Sequence, residues 1–554
     1  MVPRQTIASV LIITAGFVMV APAEAAETTV RIPLPRDPGN LTPLTFTLGY
    51  PFLTLVYDTV TWRDRQGTPR PWLARSVRTA GGGRRVIVRL RDGLRWHDGR
   101  ALTARDVAFT YDFMRERRHP RFSPQLKAIA SVRARDRRTV EFRLRHPAIG
   151  FADQPLADVP ILPEHLWRGL GPGLRAPAGA PVGSGPYRYA GRRADGGFRL
   201  VAVREYFRGR PRAGRIEVPI IPDSADTLDA LQRGTVDALP IALTPGQLES
   251  VESSRVRVAR GSLYLGTMLV FNVRRPPFDR VEVRRAVAAA LDQQRIARAV
   301  GSDVPATTGP LHPRSPWAPQ RVALAPPTTG VPLAALGLQV LRVLAPAGDP
   351  VRREAGRQVV LGVRRAGGAA RLVALGREQL ARALDESGGN PDFDLSIATI
   401  PALASQDPDF LATVFGPPTA GAASNRSGYA SPAFDRLAAR VAAAPSVTAR
   451  RQSVTALLAQ LARDVPAVPL FFSDGAFAYR SPSPVGWTFV TGSGIVDKQS
   501  FLRKTPDRAP AGGTSEGDVF ETDNDGIGLS AVLAAGGLAL ILIVGGVAVV
   551  RLRR

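Results

Sequence analysis

Two hydrophobic periods stand side by side through most of this chain, and a polypeptide carrying both must build sheets and helices together. Residues 85–91 (RVIVRLR) alternate arginine with aliphatic residues, the period of a half-buried strand, and 139–144 (TVEFRL) repeat the pattern. Residues 281–300 instead place Val283, Ala286, Ala290, Leu291 and Ile296 near one face of a helix. Residues 431–444 and 448–464 read as two more helices, the second with Val454, Leu457, Leu458 and Leu461 in phase. No fixed-period repeat is visible, which argues against solenoids and propellers. The class is α/β or α+β, with 554 residues enough for about three or four domain-sized units.

A hydrophobic content of 44% supplies a packed core and excludes a wholly disordered chain. Cysteine is absent, which removes a disulfide scaffold, cysteine-ligated metals, a cysteine nucleophile and an acylated-cysteine anchor. The net charge of +26 invites a nucleic-acid reading, but only three cations are lysine: Lys127, Lys498 and Lys504. The arginines are scattered rather than gathered into a stripe, so no nucleic-acid partner is expected.

The two ends point to export. Residues 1–25 have a basic start at Arg4, an apolar stretch to Val20 and the small-residue exit Ala23-Glu24-Ala25, the form of a cleaved signal peptide. Residues 531–550 are an uncharged apolar run, enough for about 30 Å of helix, with Arg551 to Arg554 behind it. The expectation is a transmembrane helix over 527–550 and a cytoplasmic basic tail over 551–554. The protein would then be a single-pass plasma-membrane protein, its body outside and its C-terminus cytoplasmic. Residues 504–526, rich in Gly, Pro, Ser, Thr and acids, read as a flexible tether. A G-x-S-x-G match at Gly513 to Gly517 falls inside it, without the strand and helix that a hydrolase elbow needs.

Within the body, Asp98-Gly99 marks a tight turn, and Thr103 with Asp106 makes the T-x-x-D form of a capping box. His97, His119, His146, His165 and His312 show no ligand spacing, so no metal site is expected and His97 reads as structural. Residues 181–187 (PVGSGPY) form a rigid loop without the lysine of a phosphate-binding loop. Tyr187 and Asn272 likewise read as structural. Nothing pairs a nucleophile with a base; an enzyme and a cofactor are not expected.

Taken in order, these segments resemble the extracellular solute-binding proteins of peptide-type (oligopeptide, dipeptide and nickel) ABC importers, family 5. The resemblance runs through Tyr50 to Asp58, the P-x-L-A-like element at Pro71 to Ala74, and Arg91 to Phe113, its most specific piece. It continues through Ile161 to His165, the GSGPY loop, Tyr206 to Pro211, Gly234 to Asp237 and Phe271-Asn272. Late in the chain come Asp407-Pro408-Asp409, Asn425 to Tyr429, Phe434-Asp435 and Pro466 to Leu470.

The resemblance implies a two-lobed, periplasmic-binding-protein-like fold of the type II venus-flytrap kind, with an extra subdomain in lobe I. Lobe I would take 26–52 and 182–264, the extra subdomain 53–181, lobe II 265–473, and 474–503 would return to lobe I. Its implied function is a membrane-tethered receptor that captures a peptide or other small solute between the lobes. Delivery would be to ABC permease subunits served by a cytoplasmic ATPase. The alternative is a surface-anchored sensor or docking protein that keeps the fold without transport.

Residues 322–384 depart from the family's pattern, being Ala-, Gly- and Arg-rich and apparently shortened. A second departure precedes Asp407, where dipeptide binders place an acid for the peptide's amino group and this chain has residues 402–406 (ALASQ). By family position the candidate ligand residues are Tyr50, Tyr264 and Met268 from the first lobe and hinge. Asp407, Asp409, Asn425 and Phe472 come from the second. Each also has a structural reading: Asp409 as a helix cap, Asn425 as a turn, Phe472 as core.

Overall fold

Strand Arg85–Leu90 buries Val86, Val88 and Leu90 on one face, as its alternation requires. In the computed structural model it lies between Ala74–Ala80 and Thr139–Leu144, in a five-stranded sheet that ends at Ile129–Ala134. The structure describes residues 28–502 and 519–522, except 47, 118, 120, 244, 252–254, 303, 307–308, 320–331, 385–390, 401–406 and 418–424. Helix Ala104–Glu116 packs on this sheet and starts with both halves of the capping box: Thr103 Oγ1 accepts from Arg105 N, and Thr103 N donates to Asp106 Oδ2 at 2.8 Å. A four-stranded sheet runs in the order Thr29–Arg31, Arg215–Val218, Phe198–Ala202, Tyr187–Arg192. One hydrophobic core joins the two sheets, with Phe52, Tyr111, Phe142 and Phe198 fully buried in it. Each such side chain contributes about 1.5–3 kcal/mol.

The second lobe is built on a six-stranded sheet in the order Val304–Pro305, Ala467–Arg480, Val256–Phe271, Leu395–Ile400, Leu341–Pro346, Ala370–Leu375. Its two faces bury alternate residues. Leu269, Phe271, Val343 and Ile397 enter one core, and Met268, Val270, Leu344 and Ala398 the other. Within residues 332–384, helix Pro350–Arg365 crosses between the parallel strands Leu341–Pro346 and Ala370–Leu375, followed by helix Arg377–Leu384. The single helix expected over 281–300 is two, Val281–Ala289 and Gln293–Ala299. Asp292 breaks it by accepting Arg295 N as the N-cap of the second.

Two long antiparallel strands, Val256–Phe271 and Ala467–Arg480, connect the lobes. Their Phe271/Ala467 ends lie in the six-stranded sheet, while at their other ends Leu239 N bonds Ala478 O at 2.9 Å and Arg480 N bonds Asp237 O at 2.8 Å. The ladder slips between Ser262 and Leu265, and Tyr264 there takes a left-handed backbone with φ of 59°. Such a conformation is costly for a bulky residue and marks the bend.

The chain then returns to the first lobe. Lys498, fully buried, donates to Asp58 Oδ1 at 2.6 Å, and Trp62 Nε1 donates to Asp497 Oδ1 at 3.2 Å. Val519–Thr522, inside the stretch read as a tether, pairs in parallel with Ala74–Ala80.

The single-pass membrane placement is corrected here: among the described residues no helix is long and apolar enough to cross a membrane. The apolar run at 527–550, the basic tail and the leader at 1–25 lie outside the described residues.

Candidate functional site

A cleft of about 670 Å³ opens between the lobes. Its first-lobe wall includes Arg121, Gln125, Lys127 and Gly150, and its second-lobe wall includes Met268, Ala398, Asp407, Asp409 and Arg450. The volume is that of a small-molecule or short-peptide site.

The second-lobe wall is organised by Arg450, on helix Val447–Asp464. Its guanidinium grips Asp407 with two bonds, Nη1 to Oδ2 at 3.0 Å and Nη2 to Oδ1 at 2.7 Å, and Nη2 also reaches Asp409 Oδ1 at 2.9 Å. Arg450 and Asp407 are each 2% exposed, whereas the Asp409 side chain is 52% exposed. A bidentate fork of this kind uses up the Asp407 charge. Asp409 is different. Enclosure by the walls and the neighbouring Asp407 charge raise its pKa to about 6, against the opposing pull of Arg450. Gly150 approaches this pair from the other lobe: a Cβ there would overlap Asp407 Oδ2 and stand 2.9 Å from Arg450 Nη1.

The first-lobe wall rests on Asp158. This buried carboxylate accepts from Tyr50 Oη at 2.9 Å, Arg121 Nη2 at 2.7 Å and Gln125 Nε2 at 2.8 Å. Burial works against its ionisation, yet the Arg121 charge and these bonds outweigh it and hold its pKa below the ordinary range. The Arg121 guanidinium also lies 3.8 Å from the Tyr50 ring centroid.

The seven candidates therefore separate. Met268, Asp407 and Asp409 line the cleft. Tyr50 stands behind it, supporting Arg121. Tyr264 and Phe472 sit at the bend, on either side of buried His312, with ring centroids 5.3 and 5.0 Å away. Asn425 pins a loop, its amide donating to the carbonyls of Gly416 at 2.9 Å and Tyr429 at 2.7 Å. His97, away from the cleft, is structural: Nε2 bonds Gly185 O at 3.0 Å and Nδ1 accepts Gly183 N at 3.2 Å. Ser262 Oγ lies 3.0 Å from His312 Nε2, which brings a hydroxyl and an imidazole together. However, His312 Nδ1 accepts Arg314 N and Asp474 approaches the Nε2 side at 3.9 Å, so the acid does not orient the base as a nucleophile relay requires.

Sequence reasoning missed Arg121, Lys127, Gly150 and Arg450. Only Arg450 left a signal, since it lies four residues before Val454, in phase with that helix's apolar stripe.

Residues 68–329 match the model of the bacterial extracellular solute-binding proteins, family 5 Middle. The oligopeptide-binding protein AppA of Bacillus subtilis is 27% identical over 265 residues, covering 44% of this chain and 46% of that protein. The chain spans about half the length of the first curated relatives it matches. Among solved structures, the ABC transporter substrate-binding protein CtaP of Listeria monocytogenes superposes with a TM-score of 0.74 at 21% identity, covering 86% of this chain and all of that one. AppA of Bacillus subtilis, solved with a nonapeptide, superposes with a TM-score of 0.72 at 19% identity, covering 86% of this chain and 99% of that one. These neighbours share the two-lobed, mixed α/β fold, and over residues 68–329 the chain is similar to the extracellular solute-binding proteins of family 5.

Proposed function

We propose that this protein is the solute receptor of an ABC importer, enclosing a peptide-like or other small solute between its lobes and handing it to a permease. The observation that carries this reading is the cleft of about 670 Å³, whose walls come from both lobes across a bent two-strand connection. A site divided in this way is completed only when the lobes meet, so solute binding and closure favour each other. The relatives named for peptide binding and ABC transport support the same reading.

Thermal unfolding of the protein against peptide and sugar libraries tests it. A binder should raise the melting temperature by mass action, by an amount that grows with its concentration. If no small solute moves the transition, the receptor reading fails. Small-angle scattering with and without a binder then checks closure, with a smaller radius of gyration expected for the loaded protein.

A further inference from the structure

We infer that the solute held in this cleft carries an anionic group and no free ammonium, with Lys127 on the first-lobe wall as the cation that receives it. This deepens the receptor reading and rests on it.

The two described acids on the cleft wall are poor sites for a cation. Asp407 is engaged on both oxygens by Arg450. Asp409 shares the same guanidinium. The two carboxylates share one guanidinium, so a buried ammonium would meet at most one net negative charge here, and none once Asp409 is protonated, which leaves part of its desolvation cost unmet. The raised pKa of Asp409 acts in the same direction, because part of its population is uncharged near pH 6. The acid that dipeptide binders carry upstream of this element is replaced by Ala402 to Gln406, which contains no carboxylate.

The cations are arranged differently. Arg121, Lys127, Arg352, Arg426 and Arg450 all line the cleft, against Asp407 and Asp409. Arg121 is engaged by Asp158, Arg352 by Asp349, and Arg450 by the two acids. Lys127 is exposed at the end of the short helix Ser123–Leu126 and makes no hydrogen bond or ion pair among the described residues. An uncommitted ammonium facing a cleft whose acids are spoken for is a receptor for carboxylate or phosphate oxygens.

The test measures binding of four probes to the full chain by calorimetry. They are N-acetyl-dialanine (carboxylate only), dialanine amide (ammonium only), dialanine (both) and glycerol 3-phosphate (phosphate). N-acetyl-dialanine or glycerol 3-phosphate should bind at least tenfold more tightly than dialanine amide, and which of the two does so distinguishes carboxylate from phosphate. Lys127→Met should weaken that binding about tenfold, the size of one lost charge-assisted contact, while Lys127→Arg retains it. Tighter binding of dialanine amide overturns this inference and leaves the receptor reading standing, as does unchanged anion binding in Lys127→Met. Binding of no probe, with no hit from the peptide and sugar libraries, overturns both.

Discussion

Among the described residues two ion pairs are almost wholly buried, Asp58–Lys498 in the first lobe and Asp407–Arg450 in the second, and they face solvent in opposite ways. Asp58 and Lys498 are both 0% exposed. Asp58 is surrounded by donors: Lys498 Nζ at 2.6 Å, Trp72 Nε1 and Tyr206 Oη at 2.9 Å, and Ser184 Oγ at 3.3 Å. Asp407–Arg450 is almost as enclosed, at 2% each, but it lies on the cleft wall, and the surface covering it includes Gly150 of the other lobe. One pair belongs to a permanent interior. On the proposed closure, the other would be dry only while the lobes are together. The same chemistry therefore serves stability in one place and closure in the other.

Removing one partner of each pair tests this contrast most strongly. Lys498→Met should leave a buried carboxylate unpaired and cost about 3–5 kcal/mol in chemical denaturation. Arg450→Met should cost clearly less, because Asp407 regains water when the lobes part. Equal losses would break the comparison. Gly150→Ala comes next. Its methyl group should obstruct closure at a cost of about 1–3 kcal/mol, read as weaker solute binding with little change in the melting temperature of the unloaded protein. A drop in that melting temperature as large as the binding loss would assign Gly150 to folding instead.

A smaller effect concerns pH. The Asp409 carboxyl, pushed up to about 6, faces Asp407, Arg450 and His146. Because its folded value lies above the ordinary 3.8, it favours the folded, enclosed state below that value, and this contribution is lost as pH rises through about 6. Affinity for an anionic solute should therefore fall a few-fold between pH 5 and pH 7, and Asp409→Asn should flatten the part due to this group. An unchanged slope in Asp409→Asn would show that this carboxyl does not carry the pH dependence. The smallest effect is a control remote from both pairs. Thr103→Ala should cost about 1 kcal/mol through its helix cap and leave solute binding untouched.

Much of the first lobe was legible because its signals are local. A strand with strict alternation and a helix with a capping box both declare themselves within ten residues, and both occur where the patterns put them. The second lobe was harder to read for a physical reason. Helix Pro350–Arg365 buries Ala355, Gly356 and Gly362 beside its valines, so close packing against the sheet uses small residues that carry little hydropathy. The cleft was the least legible part. Asp407 and Asp409 were found through the family's motif, but the cation they share comes from Arg450, 43 residues from Asp407. Lys127 and Gly150 carry no pattern at all, since an uncommitted charge and a missing methyl group matter only once the other wall stands opposite.

The Asp58–Lys498 contact spans 440 positions of the chain, and this has a temporal meaning. A polypeptide emerges from its N-terminus, so Asp58 is made early and its partner nearly last among the described residues. Until then the first lobe holds an acidic group that it cannot comfortably enclose. The first lobe thus cannot enclose Asp58 with its charge paired until Lys498 has been added, so a single buried contact makes its interior depend on residues 440 positions apart.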